Sequence, residues 1–414
     1  MNYIRFSKIS FTIIAFSLII YLINSQILEN FIWKSDKKFI DFTILISWLE
    51  CNYLGFDVYN LEDTKNCPNF YSIIFYGDIW LKIPFNETLN IFYLNILPYL
   101  IIFLVVLTIT YLVNPRSIFD YSILILCLFN PSTMLVIERL AFDIFVFLFI
   151  VFITLNRIYF LNWLVIFFLA LTKIYPALLG VNIFLENLNR SLKKNFVIIL
   201  SLVLISTTFF YLHFDKYLIS IIDGASNSGR AGYHYLFSLN TIAKIIKIFE
   251  VNYIFLIVVT YFLFFYITRL IYKNYHNDLE VLLSDIFSPK GKLFIIGGCV
   301  ILFCFITFSN YAYREVFILL LVPFLLNSKN KNKFINIIIF ILTLRFLFLF
   351  PYAYVNIYDG ISYANGERIF SNKFIFFITI KGILDFLLMS NILIIVFGGI
   401  KKYIITKKDS LNFS

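Results

Sequence analysis

Charged side chains are sparse in this chain, and the few that interrupt its apolar stretches are the residues able to do chemistry. One polar turn runs Glu138-Arg139-Leu140-Ala141-Phe142-Asp143 and follows Asn130-Pro131-Ser132-Thr133. On a continuous helix Arg139 and Asp143, four apart, share a face, with Glu138 beside them. A charge at the centre of a bilayer costs roughly 2.5–3.5 kcal/mol on insertion scales, so such groups face a cavity or one another. Two readings stand side by side: a ligand-binding element, or a structural ion pair at a helix end.

Further cations fall at similar breaks. Lys173 lies in Lys173-Ile174-Tyr175-Pro176, where proline ends a helix. It is a candidate anion ligand together with Tyr175, or a lysine reaching for headgroups. Arg314 lies in the short turn Asn310-Tyr311-Ala312-Tyr313-Arg314-Glu315. A guanidinium suits phosphate because it is planar, bidentate and permanently charged; an interfacial anchor explains it equally. Arg230 and His234, in the stretch 224–235, are weaker candidates of the same kind. Arg345, Lys381 and Asp385 sit inside late apolar runs, and the spacing of Lys381 and Asp385 predicts a structural pair.

Carboxylates gather in the first polar segment, which carries Glu50-Cys51-Asn52-Tyr53-Leu54-Gly55-Phe56-Asp57-Val58-Tyr59 and then Tyr76-Gly77-Asp78-Ile79-Trp80. A carboxylate held at a membrane surface is a general base for a hydroxyl nucleophile. Asp57 is the first candidate and Asp78 the second; either also fits as the cap of a turn. Cys51 and Cys67 flank part of this segment, and the sequence leaves open whether they bond. Cys127, Cys299 and Cys304 lie in apolar runs. Neither Cys-x-x-Cys nor a histidine cluster signals a metal, and no cofactor is implied.

The elements that position these residues are read from hydropathy. Apolar types make up 61% of the 414 residues and charged types 14%, with mean hydropathy +0.88. About 20 apolar residues of helix cross a ~30 Å hydrocarbon layer, and backbone polar groups in lipid must pair internally. The chain therefore reads as one all-α integral membrane domain over 1–414. Spans are predicted at 8–26, 90–113, 118–136, 141–156, 158–172, 174–188, 196–213, 253–272, 293–309, 315–327, 334–350 and 375–399. With these twelve, every basic cluster falls on one side: Arg5/Lys8, Arg116, Arg157, Arg190/Lys193/Lys194, Lys273, Lys290/Lys292, Lys329/Lys331/Lys333 and Lys401/Lys402/Lys407/Lys408. The positive-inside rule then puts both termini in the cytoplasm. Outer segments are expected at 27–89, 214–252 and 351–374, with an amphipathic stretch Phe39–Leu49 lying on the interface. The first run, Ile9–Ile23, follows Arg5 and Lys8 and is read as an uncleaved span. The abundance of Phe, Tyr, Ile and Asn matches an AT-rich bacterial genome, hence a bacterial inner membrane. The net charge of +10 sits in short loops and forms no basic face interleaved with aromatics, so nucleic acid is not a partner.

In the order of its polar elements the whole chain resembles the GT-C membrane glycosyltransferases, in particular the family 87 group of polyprenyl-phosphate-sugar-dependent, mannosyltransferase-like enzymes. Four features carry the likeness: Gly55-Phe56-Asp57-Val58-Tyr59 in the first outer loop, Glu138-Arg139 to Asp143, Lys173-x-Tyr175-Pro176, and Tyr313-Arg314 before the run that ends at Pro323. The chain departs at Leu140-Ala141, where relatives often have Gly-Asn. The resemblance implies an inverting transfer of a sugar from polyprenyl phosphate to a glycan or glycolipid acceptor on the outer face. Asp57 would take the acceptor proton, and Arg139, Lys173 and Arg314 would stabilise the departing polyprenyl phosphate. Membrane lipids are the remaining expected partners. An O-antigen-type polymerase would carry its chemistry in larger late outer loops. A lipid-linked oligosaccharide flippase would show polar residues through the membrane and two related halves.

Overall fold

In the computed structural model the chain is described at residues 2–32, 38–67, 78–156, 158–172, 179–180, 200, 204, 208, 211, 236–239, 253–306, 310–328, 332–358, 361–364 and 367–412. The described residues are mainly helical. Among the described residues five helices are long and apolar enough to cross a membrane: Glu87–Val113, Ile254–Leu283, Pro289–Ile306, Lys333–Val355 and Asn372–Ile405. Ile118–Phe129 and Pro131–Arg139, bent by 50° at their junction, make a sixth if counted as one span. These match expected spans, but not all twelve emerge. Phe142–Leu155 and Tyr159–Thr172 are 14 residues each, about 21 Å at 1.5 Å per residue, and fall short of the hydrocarbon thickness. The expected span 315–327 splits into a 3-10 helix, Ala312–Leu320, and a seven-residue helix, Val322–Ser328. The expected spans 174–188 and 196–213 lie outside the described residues, isolated positions apart.

Two compact units make up the chain. The first comprises Met1–Lys34, Val106–Val136 and Gly232–Ser414. Its helices are α1 (Asn2–Asn24), α6 (Ile118–Phe129), α10 (Tyr253–Leu283), α11 (Pro289–Ile306), α12 (Val322–Ser328), α13 (Lys333–Tyr358) and α14 (Asn372–Asn412). The long α14 packs against α13, α10 and α11. Helix α11 approaches its neighbours closely because it carries Gly297 and Gly298. A methyl added at Gly297 would stand 2.7 Å from Leu320 Cβ, and one at Gly298 would stand 2.5 Å from Val396 Cγ2. Small residues at such contacts let helices gain packing in lipid. Phe264, Phe305 and Phe386 fill the space between α10, α11 and α14. Among the described residues this unit also holds two antiparallel pairs, β1 (Leu236–Phe237) with β2 (Asn310–Tyr311) and β3 (Ile361–Ala364) with β4 (Glu367–Phe370). The second pair lies in the expected outer segment 351–374, although α13 carries on past Pro351 to Tyr358 before it.

The second unit comprises Ser35–Val105 and Ile137–Ala231. It contains α2 (Ile40–Tyr53), α3 (Leu61–Thr64), the 3-10 helix Asp78–Lys82, α4 (Glu87–Asn95), the first half of α5 (Leu97–Val113), α8 (Phe142–Leu155) and α9 (Tyr159–Thr172). The stretch Phe39–Leu49, expected to lie on the interface, is instead the start of α2 and is largely enclosed. Phe42, Leu45, Ile46, Trp48 and Leu49 are all buried, and Phe42 stacks on Phe145. Trp80 sets its ring edge-on to Phe142 and Phe145.

Cys51 at the end of α2 is bonded to Cys67, with Cα atoms 5.7 Å apart, which settles the question the sequence left open. Closing a loop of this length stabilises a fold by about 3 kcal/mol in the chain-entropy view. Cys51→Ser should therefore lower stability by about that amount and abolish the mobility difference between reduced and oxidised protein on a gel. An unchanged melting temperature would show that the bond constrains nothing.

Candidate functional site

Helix α6 ends at Phe129 and Asn130 turns the chain. Asn130 Oδ1 accepts the Thr133 N–H at 3.0 Å and its Nδ2 donates to the Cys127 carbonyl at 2.8 Å. Pro131 takes the first position of α7 (Pro131–Arg139), where its missing N–H costs nothing. Helix α7 stops at Arg139 because Leu140 adopts φ 48°, in the left-handed region, which costs a non-glycine residue roughly 1–2 kcal/mol. Ala141 is extended and α8 begins at Phe142. The expectation that Arg139 and Asp143 share one helix face is thus corrected: they flank a helix break. Leu140 itself is fully buried, and its packing holds the strained turn.

The break places Arg139 against Asp41, at the first turn of α2. Arg139 Nε and Nη2 both donate to Asp41 Oδ1, at 3.0 and 2.6 Å. The Phe39 N–H donates to the Glu138 carbonyl at 3.0 Å, and Phe39 is itself left-handed, at φ 55°. Leu140 follows Arg139 and Phe39 stands two residues before Asp41, so both partners of the ion pair lie close to a backbone held in place by its surroundings. Glu138 and Asp143 are wholly buried. The Arg139 side chain stays 31% exposed. Sequence reasoning passed over Asp41. Its signal is a lone carboxylate in the apolar run Phe39-Ile40-Asp41-Phe42.

In the same unit Asp57 is exposed in the turn after α2. Its Oδ1 accepts the Tyr59 N–H at 3.0 Å, and its own N–H donates to Asp63 Oδ2 at 2.6 Å. Asp78 opens the 3-10 helix Asp78–Lys82. Lys173, Tyr175, Arg230 and His234 lie outside the described residues.

In the first unit Arg314 stands partly exposed near the start of the 3-10 helix Ala312–Leu320. The next residue, Glu315, enters a buried charge cluster. Glu315 Oε2 pairs with Arg345 Nη2 at 2.6 Å, and Glu315 Oε1 lies 3.3 Å from Lys381 Nζ. Arg345 Nε donates to Asp385 Oδ1. Lys381 and Asp385 form the expected pair, at 2.7 Å. Two cations and two carboxylates thus close a neutral quartet among α13, α14 and the 3-10 helix, each side chain no more than 6% exposed. Among the described residues no group of three His, Cys, Asp or Glu side chains is placed to hold a metal ion.

Comparison with family models, with curated proteins and with solved structures yields no match to this chain.

Proposed function

We infer that the protein is an inverting membrane glycosyltransferase of the GT-C kind, with twelve spans and cytoplasmic termini, using a sugar carried on polyprenyl phosphate. The observation that carries this reading is the guanidinium of Arg139, oriented by Asp41 and partly exposed at the break between two apolar helices. A planar cation fixed by a carboxylate, at a helix terminus in an apolar protein, suits a phosphate that gains charge as its bond to sugar breaks. The Cys51–Cys67 bond supports an outer position for the first loop, because disulfides persist in oxidising compartments.

In the proposed reaction the acceptor hydroxyl attacks the anomeric carbon from the face opposite the phosphate. Asp57 takes the hydroxyl proton, the bond from the anomeric carbon to phosphate oxygen breaks, and polyprenyl phosphate leaves with the electron pair beside Arg139. The proton passes from Asp57 to water. Asp41, committed to Arg139, orients the guanidinium and takes no proton.

The test is Arg139→Ala in membranes supplied with a polyprenyl-phosphate hexose and a glycan acceptor, read as released polyprenyl phosphate. Loss of an electrostatic donor of this type lowers turnover about 10²–10³-fold. Asp41→Asn is expected to fall between Arg139→Ala and the parent, since it loosens the guanidinium without removing it. Full transfer by Arg139→Ala at normal abundance would defeat the assignment.

A further inference from the structure

Helix α2 ends in a turn that holds large apolar side chains outward. Residues 52–55 are all exposed, and at the apex Tyr53 is 63% and Leu54 51% exposed. The turn is fixed and does not fold them in. The Leu54 N–H donates to the Glu50 carbonyl at 2.9 Å, the Gly55 N–H to the Asn52 carbonyl at 3.1 Å and the Phe56 N–H to the Cys51 carbonyl at 3.0 Å. Gly55 takes φ 90°, a conformation open to glycine. Cys51 before the turn is tied to Cys67, and Val58 after it is buried. Turns that face water are ordinarily built from polar residues, glycine and proline. An apolar tip rimmed by polar residues, here Asn52 and Asp57, marks a surface that meets a membrane or another protein.

What Tyr53 touches decides between the two. Its ring lies 5.7 Å from that of Phe85, and Phe85 directly precedes Asn86, the N-cap of α4. Tyr93 Oη donates to the Pro84 carbonyl at 2.9 Å, so the approach to α4 is fastened to the helix. Helix α4 and α5 together make the span-length apolar element Glu87–Val113. Along it Phe92, Ile96, Leu100 and Leu104 recur every four residues and are all exposed, the pattern of a stripe turned to lipid. From Glu87 to Ile91, the first exposed apolar residue of this element, the helix rises about 6 Å. The headgroup layer outside a ~30 Å hydrocarbon core is about 5–7 Å deep on each side. Phe85 and Tyr53 therefore stand at headgroup level, where aromatic rings gather because they are apolar at one end and wet at the other.

We propose that the turn 52–55 is an anchor in the headgroup layer of the membrane, seated on lipid by Tyr53 and Leu54. It continues the lipid-facing stripe of Glu87–Val113 through the contact of Tyr53 with Phe85. Asp57, two residues past Gly55, is thereby carried at the level of lipid phosphates. The anchor does not depend on the glycosyl-transfer reading and is tested without it.

The experiment places a reporter at the apex. Leu54→Trp is made in the full chain and reconstituted in nanodiscs of phosphatidylcholine, either plain or brominated on the acyl carbons nearest the headgroup. The emission of the parent, with its four tryptophans, is subtracted. Leu54 has φ −76° and ψ −2°, ordinary angles for tryptophan, and its side chain is exposed, so the variant is expected to fold. The added emission should be blue-shifted, lose most of its intensity in brominated lipid and resist acrylamide in the water. Quenching by acrylamide alone would put the turn in water and overturn the anchor. Protection from both quenchers would mean that protein covers the turn, which overturns the lipid assignment equally. Tryptophan itself favours membrane interfaces, so Tyr53→Ser/Leu54→Trp is measured beside it. The double variant should be quenched less by brominated lipid and more by acrylamide. Identical quenching of the two would show that the introduced indole, and not the native turn, seeks lipid, and would defeat the proposal.

Discussion

Replacing Glu315 by glutamine should destabilise the protein by about 3–5 kcal/mol, the range for removing one partner of a buried ion pair. Arg345 and Glu315 are 0% and 1% exposed, and Arg345 sits midway along the apolar helix Lys333–Val355. With Glu315 neutral, the cluster holds one negative charge fewer against two cations that water does not reach, and Arg345 stays protonated under all ordinary conditions. Removing a charge of each sign is expected to cost less. Glu315→Gln/Lys381→Met leaves the Arg345–Asp385 pair intact and restores neutrality, so the double variant should be more stable than Glu315→Gln. That non-additivity separates electrostatic balance from lost packing, which would add. Unfolding in nanodiscs reads both quantities, and added salt should move neither much because the quartet is buried. A Glu315→Gln protein within about 0.5 kcal/mol of the parent, the ordinary range for surface changes, would mean that Glu315 carries no charge in the fold.

The quartet also shows what the sequence made legible and where it fell silent. Lys381 and Asp385 were readable because helical spacing makes them neighbours. Glu315 stands at the boundary between the turn 310–314 and the expected span 315–327, and hydropathy says nothing of what such a boundary residue meets. Counting charge would have found it. Arg345 and Lys381 against Asp385 leave one cation over inside the apolar helices, and a carboxylate at the head of another apolar run is the nearest remedy.

The long apolar runs were legible for the same reason that the shorter ones misled. Lys333–Tyr358 and Asn372–Asn412 are longer than a ~30 Å hydrocarbon layer requires, so their helical state follows from length and composition. Val322–Ser328 is as apolar but begins one residue before Pro323, which lacks the N–H that a continuing helix would need. Hydropathy averages over that break. At Leu140 the difficulty is of another kind. Leucine in the left-handed region is a choice imposed by packing, and no propensity scale foretells it. Arg139 and Asp143 consequently leave the single face that spacing assigned them, and Arg139 meets a residue 98 positions away.

Asp57→Asn should reduce sugar transfer about 10²–10⁴-fold, the span attributed to a positioned general base. The substitution suits the question because of what the Asp57 carboxylate does in the turn. Its Oδ1 receives the Tyr59 N–H, and an asparagine carbonyl oxygen accepts that bond equally well. The link from the Asp57 backbone to Asp63 is untouched, since it involves no side-chain atom of residue 57. Asparagine therefore keeps the turn and removes only the capacity to take a proton. A purely structural Asp57 predicts the opposite ordering, with Asp57→Asn active and Asp57→Ala less stable through loss of the turn bond. The distinguishing measurement pairs the yield of polyprenyl phosphate with the melting temperature of each variant. Low yield at an unchanged melting temperature in Asp57→Asn marks the base; parental yield in Asp57→Asn assigns Asp57 to the turn alone.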